Sequence, residues 1–526
     1  MRLLAGIILI ALGSGGVAGE VLKLKIPAAS WFFDTSRRLP LVPESDVPVI
    51  GWVMAVGAIL AGLWLLSCSI IKRQKHPSEI MRQERFKEVK RGVWSLRIIL
   101  LLVFLAALDF LIVGNKPLVM KYEGKLYYPA FDREVYKGED FGIQGELALA
   151  PVNFRSLKKS FKDKGENWIV MPLHPYAPTG DTLPAQTRDL KVVDGVYQTS
   201  SGTSYSGLAA RVRPEAEGQE ELSLHIRYRL RDGVLSGPVD GWNNAGERVY
   251  SATYTVSKEG VSEMASESYF GLGSLESYLR ETENKLKIVD YHPAPPSRKH
   301  ILGTDSGGND VLAYLYGGLQ VNIQAALFYI PFVYLIGATI GLLMGYFGGI
   351  FDLVFQRVIE ALEAIPFLFV IIIVSSVIPI EYKGLGMILL ILISFGWMGK
   401  TYLMRTAAYR EKSRDYVASA RVLGASTSRI VGKHILPNIL SILVTIVPFA
   451  ISGVVTAITS LDYLGFGLPP EYASWGKLLD DGLKNLSSPW LVSSAFVMLV
   501  SLLTLITFLG EAIREAYDPR KFTTYR

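Results

Sequence analysis

Hydrophobic residues in this chain gather in runs of about twenty, and one long stretch between two runs follows a different period. The runs fall at about 3–19, 49–71, 96–114, 322–347, 358–380, 385–407, 438–460 and 490–510. A helix needs about 20 apolar residues to cross the ~30 Å hydrocarbon layer, where unpaired backbone amides cannot be exposed. The pattern therefore predicts about eight membrane spans. The polar stretch from 115 to about 320 alternates instead. Within it, Leu222–Leu230 and Val249–Val256 read as half-buried strands, and Leu118–Tyr122 with Leu126–Pro129 as a hairpin turning at Glu123-Gly124. His292–Ser297, rich in proline, reads as a stiff linker back to the membrane. The expected fold class is an all-α polytopic membrane protein with an inserted strand-rich, mixed α/β domain. Its expected segments are two N-terminal spans with a basic loop (1–92), a first core span (93–114), the inserted domain (115–300) and the remaining core (301–526).

Composition and charge sharpen this picture. Of 526 residues, 50% are hydrophobic and 19% charged, below the ~25% charge of soluble proteins, which excludes an ordinary soluble enzyme. The single cysteine, Cys68, excludes an internal disulfide framework and a cysteine-based metal cluster. Net charge is +6, and Lys72–Arg97 alone holds nine basic residues against Glu79, Glu84 and Glu88. Basic segments beside spans stay cytoplasmic, so this loop is expected inside and the 115–320 stretch outside. Lys400–Lys433, with eight basic residues against Glu411 and Asp415, also falls inside after an even number of crossings. Both ends of the basic loop enter the membrane within a few residues, which makes a nucleic-acid role a poor reading of it. The first run also resembles a secretory signal, with Gly16-Val17-Ala18 as a small-residue cleavage site. Whether it is cleaved or retained, the topology of the rest is the same.

No enzyme chemistry stands out. Six histidines (His76, His174, His225, His292, His300, His434) show no metal-ligand spacing, and no Gly-x-Ser-x-Gly elbow occurs. Asp305–Asp310 lacks the alternating oxygen ligands and final glutamate of a calcium loop. Ser394–Thr401 is one residue from a phosphate-binding loop, but it lies in an apolar span with no preceding strand. The most informative segment is Asp415–Asn438. Ala418, Ser419 and Ala420 leave a helix face flat enough for another protein to approach, Gly424 permits a tight turn, and a second short helix with Arg429 and Lys433 leads to Pro437 at the start of the next span. Composition leaves open whether this helix-turn-helix docks a protein or rests on lipid. Glu360 and Glu363 fall in the first two turns of a span, within reach of interfacial water. Gly341, Gly345, Gly348 and Gly349 suit helix packing and a turn. Glu471–Pro489, flanked by Trp475 and Trp490, suits a re-entrant amphipathic scoop.

Ala-Ser-Ala-x3-Gly-x9-His-x-Leu-Pro (418–437) resembles the EAA loop of ABC importer permeases. Leu302–Leu312, Leu461–Pro470, Ser474–Leu479, Pro489–Leu491, Gly510–Arg514 and Asp518-Pro519 are similar to the oligopeptide/dipeptide permease family. Lys90–Leu96 and Gly114–Gly124 resemble its Yej-type branch, which imports oligopeptides and microcin C. The resemblance implies a type I permease core forming half of a translocation pathway in a bacterial inner membrane. It implies an ATPase-coupling loop at 408–437 carrying Tyr416, Ala418, Ser419, Ala420, Gly424, Arg429, His434 and Pro437, and a periplasmic gate or scoop of Asp305, Asp310, Trp475, Gly476 and Trp490. The implied partners are a second permease subunit, ABC ATPase subunits, an extracytoplasmic solute-binding protein, membrane lipid and a peptide. ATP and Mg would sit on the ATPase and no cofactor on this chain. The sequence departs from the family at Ala418, where a glutamate names the motif, and at Asn309, where many relatives carry arginine; the two N-terminal spans and the long outside domain look like additions. Rival readings are an anchored extracytoplasmic binding or sensory protein, a proton-coupled secondary transporter, and an ABC permease for nickel chelates or glycan fragments. Eight spans argue against the first, and mid-membrane stretches almost free of ionisable residues against the second.

Overall fold

A computed structural model describes residues 2–34, 49–70, 77–143, 148–161, 167–181, 186–199, 202, 204–212, 224–243, 247–257, 261–280, 287–290, 293–379, 382–486 and 488–517. Cys68 has described backbone only, and His292, Asp518 and Pro519 lie outside the described residues. The chain forms two compact units: residues 1–180, 312–484 and 491–526 in the first, 181–311 and 485–490 in the second. The 115–300 stretch is thus shared between them.

The helices are α1 (Arg2–Val21), α2 (Trp31–Asp34), α3 (Val49–Ile70), α4 (Pro77–Glu88), α5 (Lys90–Ala107), α6 (Phe154–Phe161), α7 (Leu275–Arg280), α8 (Val311–Phe347), α9 (Gly349–Glu363), α10 (Phe367–Val377), α11 (Leu385–Gly396), α12 (Met398–Lys412), α13 (Asp415–Val422), α14 (Thr427–Arg429), α15 (Leu436–Tyr463), α16 (Trp475–Lys484) and α17 (Pro489–Tyr517). Among the described residues, five segments are long and apolar enough to cross a membrane: α3, α8, α11–α12, α14–α15 and α17. The bent pair α9/α10 makes a sixth. The expected eight therefore reduce to six by length and composition, because α1 offers only Ala5–Val21 as a shorter apolar helix and α5 stops early.

Each departure from the expected spans has a local cause. The run at 96–114 is helical only to Ala107, where a 3₁₀ turn, Asp109–Leu111, ends it. Helix ends leave carbonyls unpaired. Here Tyr316 on α8 donates its hydroxyl to Leu105 O (2.7 Å), and Gln320 donates to Ala106 O (3.2 Å) and Asp109 Oδ1 (2.9 Å). α8 itself begins at Val311 rather than 322, since those polar side chains interrupt the hydropathy without interrupting the helix. The run at 358–380 is broken by a 69° bend at Ala364–Pro366, where proline cannot donate a backbone bond. Because α9 starts at Gly349, Glu360 and Glu363 lie in its last turns, not its first two, and Glu360 accepts from Arg357 (2.7 Å) and Gln356 (3.0 Å). Pro437 lies in the first turn of α15, as its place before the span implied. A π-helical turn, Ile430–Ile435, joins α14 to α15.

Glycine lets several of these helices touch backbone to backbone. α1 and α3 pair antiparallel: a Cβ on Gly62 would lie 2.7 Å from Gly6 O, and one on Gly13 2.6 Å from Ala55 O. Gly341 and Gly345 on α8 face the α12 backbone at Thr401–Arg405 and Arg405–Ala408, as their sequence position implied. Gly348 and Gly349 take positive φ (66° and 59°) in the turn to α9.

The strands are β1 (Val119–Tyr122), β2 (Lys125–Tyr127), β3 (Trp168–Val170), β4 (Gln186–Asp189), β5 (Lys191–Val193), β6 (Val196–Gln198), β7 (Gly207–Val212), β8 (Leu224–Arg231), β9 (Val234–Leu235), β10 (Gly237–Trp242), β11 (Arg248–Val256), β12 (Ser262–Tyr269) and β13 (Lys287–Asp290). In the first unit β2-β1-β3 is antiparallel, and its hairpin turns at Glu123 and Gly124, both at positive φ. It covers a core of Met120, Phe141, Phe154, Leu157, Phe161 and Ile169. The second unit holds an eight-stranded antiparallel sheet, β12-β11-β10-β8-β7-β13-β4, with β9 beside β8. The two segments read as alternating became β8 and β11, except Leu222 and Ser223, which lie outside the described residues. Their inward side chains, including Ile226, Tyr228, Leu230, Tyr250 and Ala252, pack against Tyr278 of α7.

Candidate functional site

The segment between α12 and α15 is a folded loop held at both ends. Val417 and Ala420 of α13 are buried with Met404, Ala408, Ile430, Ile435 and Ile439, which turns Ala418, Ser419 and Arg421 outward. α13 closes in a Schellman turn: Gly424 N–H donates to Arg421 O and Ala425 N–H to Ala420 O, each at 3.0 Å. Gly424 has φ +77°, and no atom lies within 4 Å of where its Cβ would be, so conformation rather than crowding requires glycine. Just before it, Val422 and Leu423 are 88% and 85% exposed. Two bare aliphatic side chains thus stand at the tip of a rigid turn.

The anchors are polar. Tyr416 donates to Glu411 Oε2 at 2.6 Å, and Asn438 donates both to Tyr416 Oη (3.0 Å) and to His434 O (2.9 Å). Burial, then the bond to Glu411, pushes the Tyr416 phenol above its ordinary pKa. The structure thus brings Tyr416 and His434 together. Arg429 and Pro437 are exposed on the second arm. Sequence reasoning missed Glu411, Asn438, Val422 and Leu423; the Val-Leu pair before the turn glycine was the available signal.

The second set of expected residues divides between the two units. In the first, Trp475 is buried and donates Nε1–H to Leu315 O of α8 at 3.0 Å. A Cβ on Gly476 would overlap Thr459 O of α15. The organiser is Asp462, absent from the sequence-derived set: it accepts Leu468 N–H (2.5 Å) and the Ser474 hydroxyl, and Ser474 Oγ in turn accepts Gly476 N–H (3.2 Å). Lys477 donates to Pro469 O at 2.6 Å; burial lowers its pKa, opposed by Asp462 and Glu471. Gly476→Ala should therefore separate α16 from α15, lowering the unfolding temperature and raising protease cutting at 464–474. Unchanged values of both would contradict this packing.

In the second unit Asp305 accepts Asn309 N–H (2.7 Å) and the Asn309 side-chain amide (2.9 Å). Asp310 Oδ2 meets His300 Nδ1 at 2.8 Å, with both side chains buried, and Trp490 donates to Thr304 O at 3.3 Å. Asp305, Asp310 and Trp490 thus belong to one hydrogen-bonded loop. Among the described residues no group of three His, Cys, Asp or Glu is placed to hold a metal. Ser394–Thr401 is helical apart from a turn at Trp397, with Thr401 N–H donating to Trp397 O, so it forms no phosphate cradle.

The described residues thus form an apolar core of membrane-length helices with a latched helical loop between α12 and α15. Residues 337–523 match the family described as binding-protein-dependent transport system inner membrane component. The inner membrane ABC transporter permease protein YejE of Escherichia coli (strain K12) is 30% identical over 445 residues, 85% of this chain and 98% of that protein. The peptidoglycan transport system permease protein YejE of Agrobacterium fabrum is 28% identical over 446 residues, 85% of this chain and 94% of that protein. The oligopeptide transport system permease protein OppC of Lactococcus lactis is 31% identical over 241 residues, 45% of this chain and 81% of that protein. The chain belongs to the binding-protein-dependent ABC permease family, and within it to the permeases of Yej type.

Proposed function

We propose that residues 408–437 are the element through which a separate ATPase drives this permease. The observation that carries this reading is the Gly424 turn, which presents Val422 and Leu423 from a helix tied to α12 and α15. Closure of two ATPase subunits would push that rigid tip, and the attached helices would carry the motion into the pathway. ATP and Mg would act on the partner, and this chain would bind no nucleotide. The loop would face the cytoplasm of a bacterial inner membrane, in keeping with its six lysines and arginines, and the strand-rich 115–300 segment would lie outside.

The remaining partners would be a second permease subunit and an extracytoplasmic solute-binding protein, with Trp475 and Gly476 of the first unit shaping the outer end of the pathway. The relatives' names divide between peptide and peptidoglycan transport, and a substrate carrying a peptide is common to both. The test is purification in mild detergent with mass spectrometry of co-purifying subunits and bound compounds, followed by ATP hydrolysis in reconstituted membranes. A co-purifying ATPase whose hydrolysis is stimulated by the bound peptide is expected. Hydrolysis that ignores this subunit would overturn the reading.

A further inference from the structure

The broken span α9/α10 packs differently on the two sides of its break. Ile371 of α10 is buried with Leu385, Ile388, Val454 and Ile458 in one cluster. Ile359 of α9 is buried in another, with Met344 of α8 and Met398 of α12. α9 is also tied to α12 by charge. Arg405 Nε and Nη2 each donate to one oxygen of Asp352 at 2.5 Å, with side chains 31% and 16% exposed. Such a two-point fork fixes orientation as well as distance. Gln356 extends it, 3.5 Å from Arg405 Nη2 and donating to Glu360 at 3.0 Å.

α12 is the helix that enters the 408–437 loop, and its Glu411 holds Tyr416 of α13. α8 is pressed against α12 through Gly341 and Gly345. Whatever moves the loop therefore moves α12, and the ion pair makes α9 follow. Among the described residues α10 has no ion pair to α12; its cluster holds α11, the far half of α15 and the Val321–Val333 half of α8, away from Gly341 and Gly345, and Ser375 donates to Phe466 O at 3.4 Å. The 69° break at Ala364–Pro366 lies between the two.

We infer that Arg405 and Asp352 are positioning residues that fasten α9 to the coupling lever, and that Ala364–Pro366 is the hinge at which the lever's motion opens the pathway. This rests on the coupling reading of 408–437. A severed ion pair should leave the ATPase docked and turning over while α9 no longer follows, so hydrolysis continues without import.

The experiment uses the whole complex in liposomes, with peptide uptake and ATP hydrolysis measured together. Arg405→Ala and Asp352→Ala should each cut uptake at least about tenfold, because the fork that makes α9 follow α12 is lost, while hydrolysis stays within about twofold. The swapped pair, Arg405→Asp with Asp352→Arg, should recover uptake. Arg405→Lys, which keeps the charge but loses the fork, should show an intermediate number of ATP molecules consumed per peptide and serves where the alanine variants fail to assemble. Uptake and hydrolysis falling in equal proportion in every variant would overturn the inference. Gly424→Val is run alongside: if it changes neither quantity, the coupling reading has failed, whereas a loss of both there with an unchanged ratio in the ion-pair variants removes only the hinge.

Discussion

Replacing Gly424 with valine should abolish peptide import and substrate-stimulated ATP hydrolysis together, with normal membrane insertion. The residue sits at φ +77°, where a β-branched side chain costs about 1–2 kcal/mol or more. No atom of this chain crowds the position, so the fold as a whole loses little. The turn does not escape: two hydrogen bonds, to Arg421 O and Ala420 O, depend on it, and Val422 and Leu423 take their direction from it. Gly424→Asn separates conformation from bulk, since asparagine visits left-handed backbone at low cost. It should keep most of the transport. A Val variant that imports at the wild-type rate would show that this loop does not carry the drive.

Asp462→Ala should be the most destabilising change at the α15–α16 connection. It leaves the Leu468 amide and the Ser474 hydroxyl buried without an acceptor, at about 1–3 kcal/mol each. The Ser474 contact to Gly476 would loosen with it, and Trp475 would lose its fixed entry onto α8. The purified complex should unfold several degrees lower and be cut by protease between Leu464 and Trp475, and import should fall. Asp462→Asn retains one oxygen acceptor and should recover part of the loss. Identical melting curves for wild type and Asp462→Ala would refute the role given to this carboxylate.

Much of the candidate loop was legible in the residues themselves. Small side chains at 418–420, a turn glycine and a following basic helix are local signals, and the Schellman turn at Gly424 is what they describe. Its anchors were not legible, because Glu411, Tyr416 and Asn438 meet only when two helices fold back on each other. The same holds for Asp352 and Arg405, 53 residues apart, and for Gln320 and Asp109, 211 apart. Nothing local in Leu461–Leu464 marks Asp462 as an organiser rather than a surface acid.

By itself the sequence located six of its eight expected spans, where a strand period replaces them, and the hairpin at Glu123-Gly124. Each follows from side-chain hydrophobicity and backbone preference within a few residues. The tertiary structure decided where helices stop. α5 ends where Tyr316 and Gln320 take its last carbonyls, and α8 continues through those same polar residues because their partners lie on α5. It also decided that α1 and α3 touch at Gly6, Gly13 and Gly62, and that one apolar run is two half-helices in different clusters. Hydropathy measures what a residue would gain in lipid. Which partner it meets is set by segments far away in the chain, and a buried polar group is tolerable only once that partner is in place.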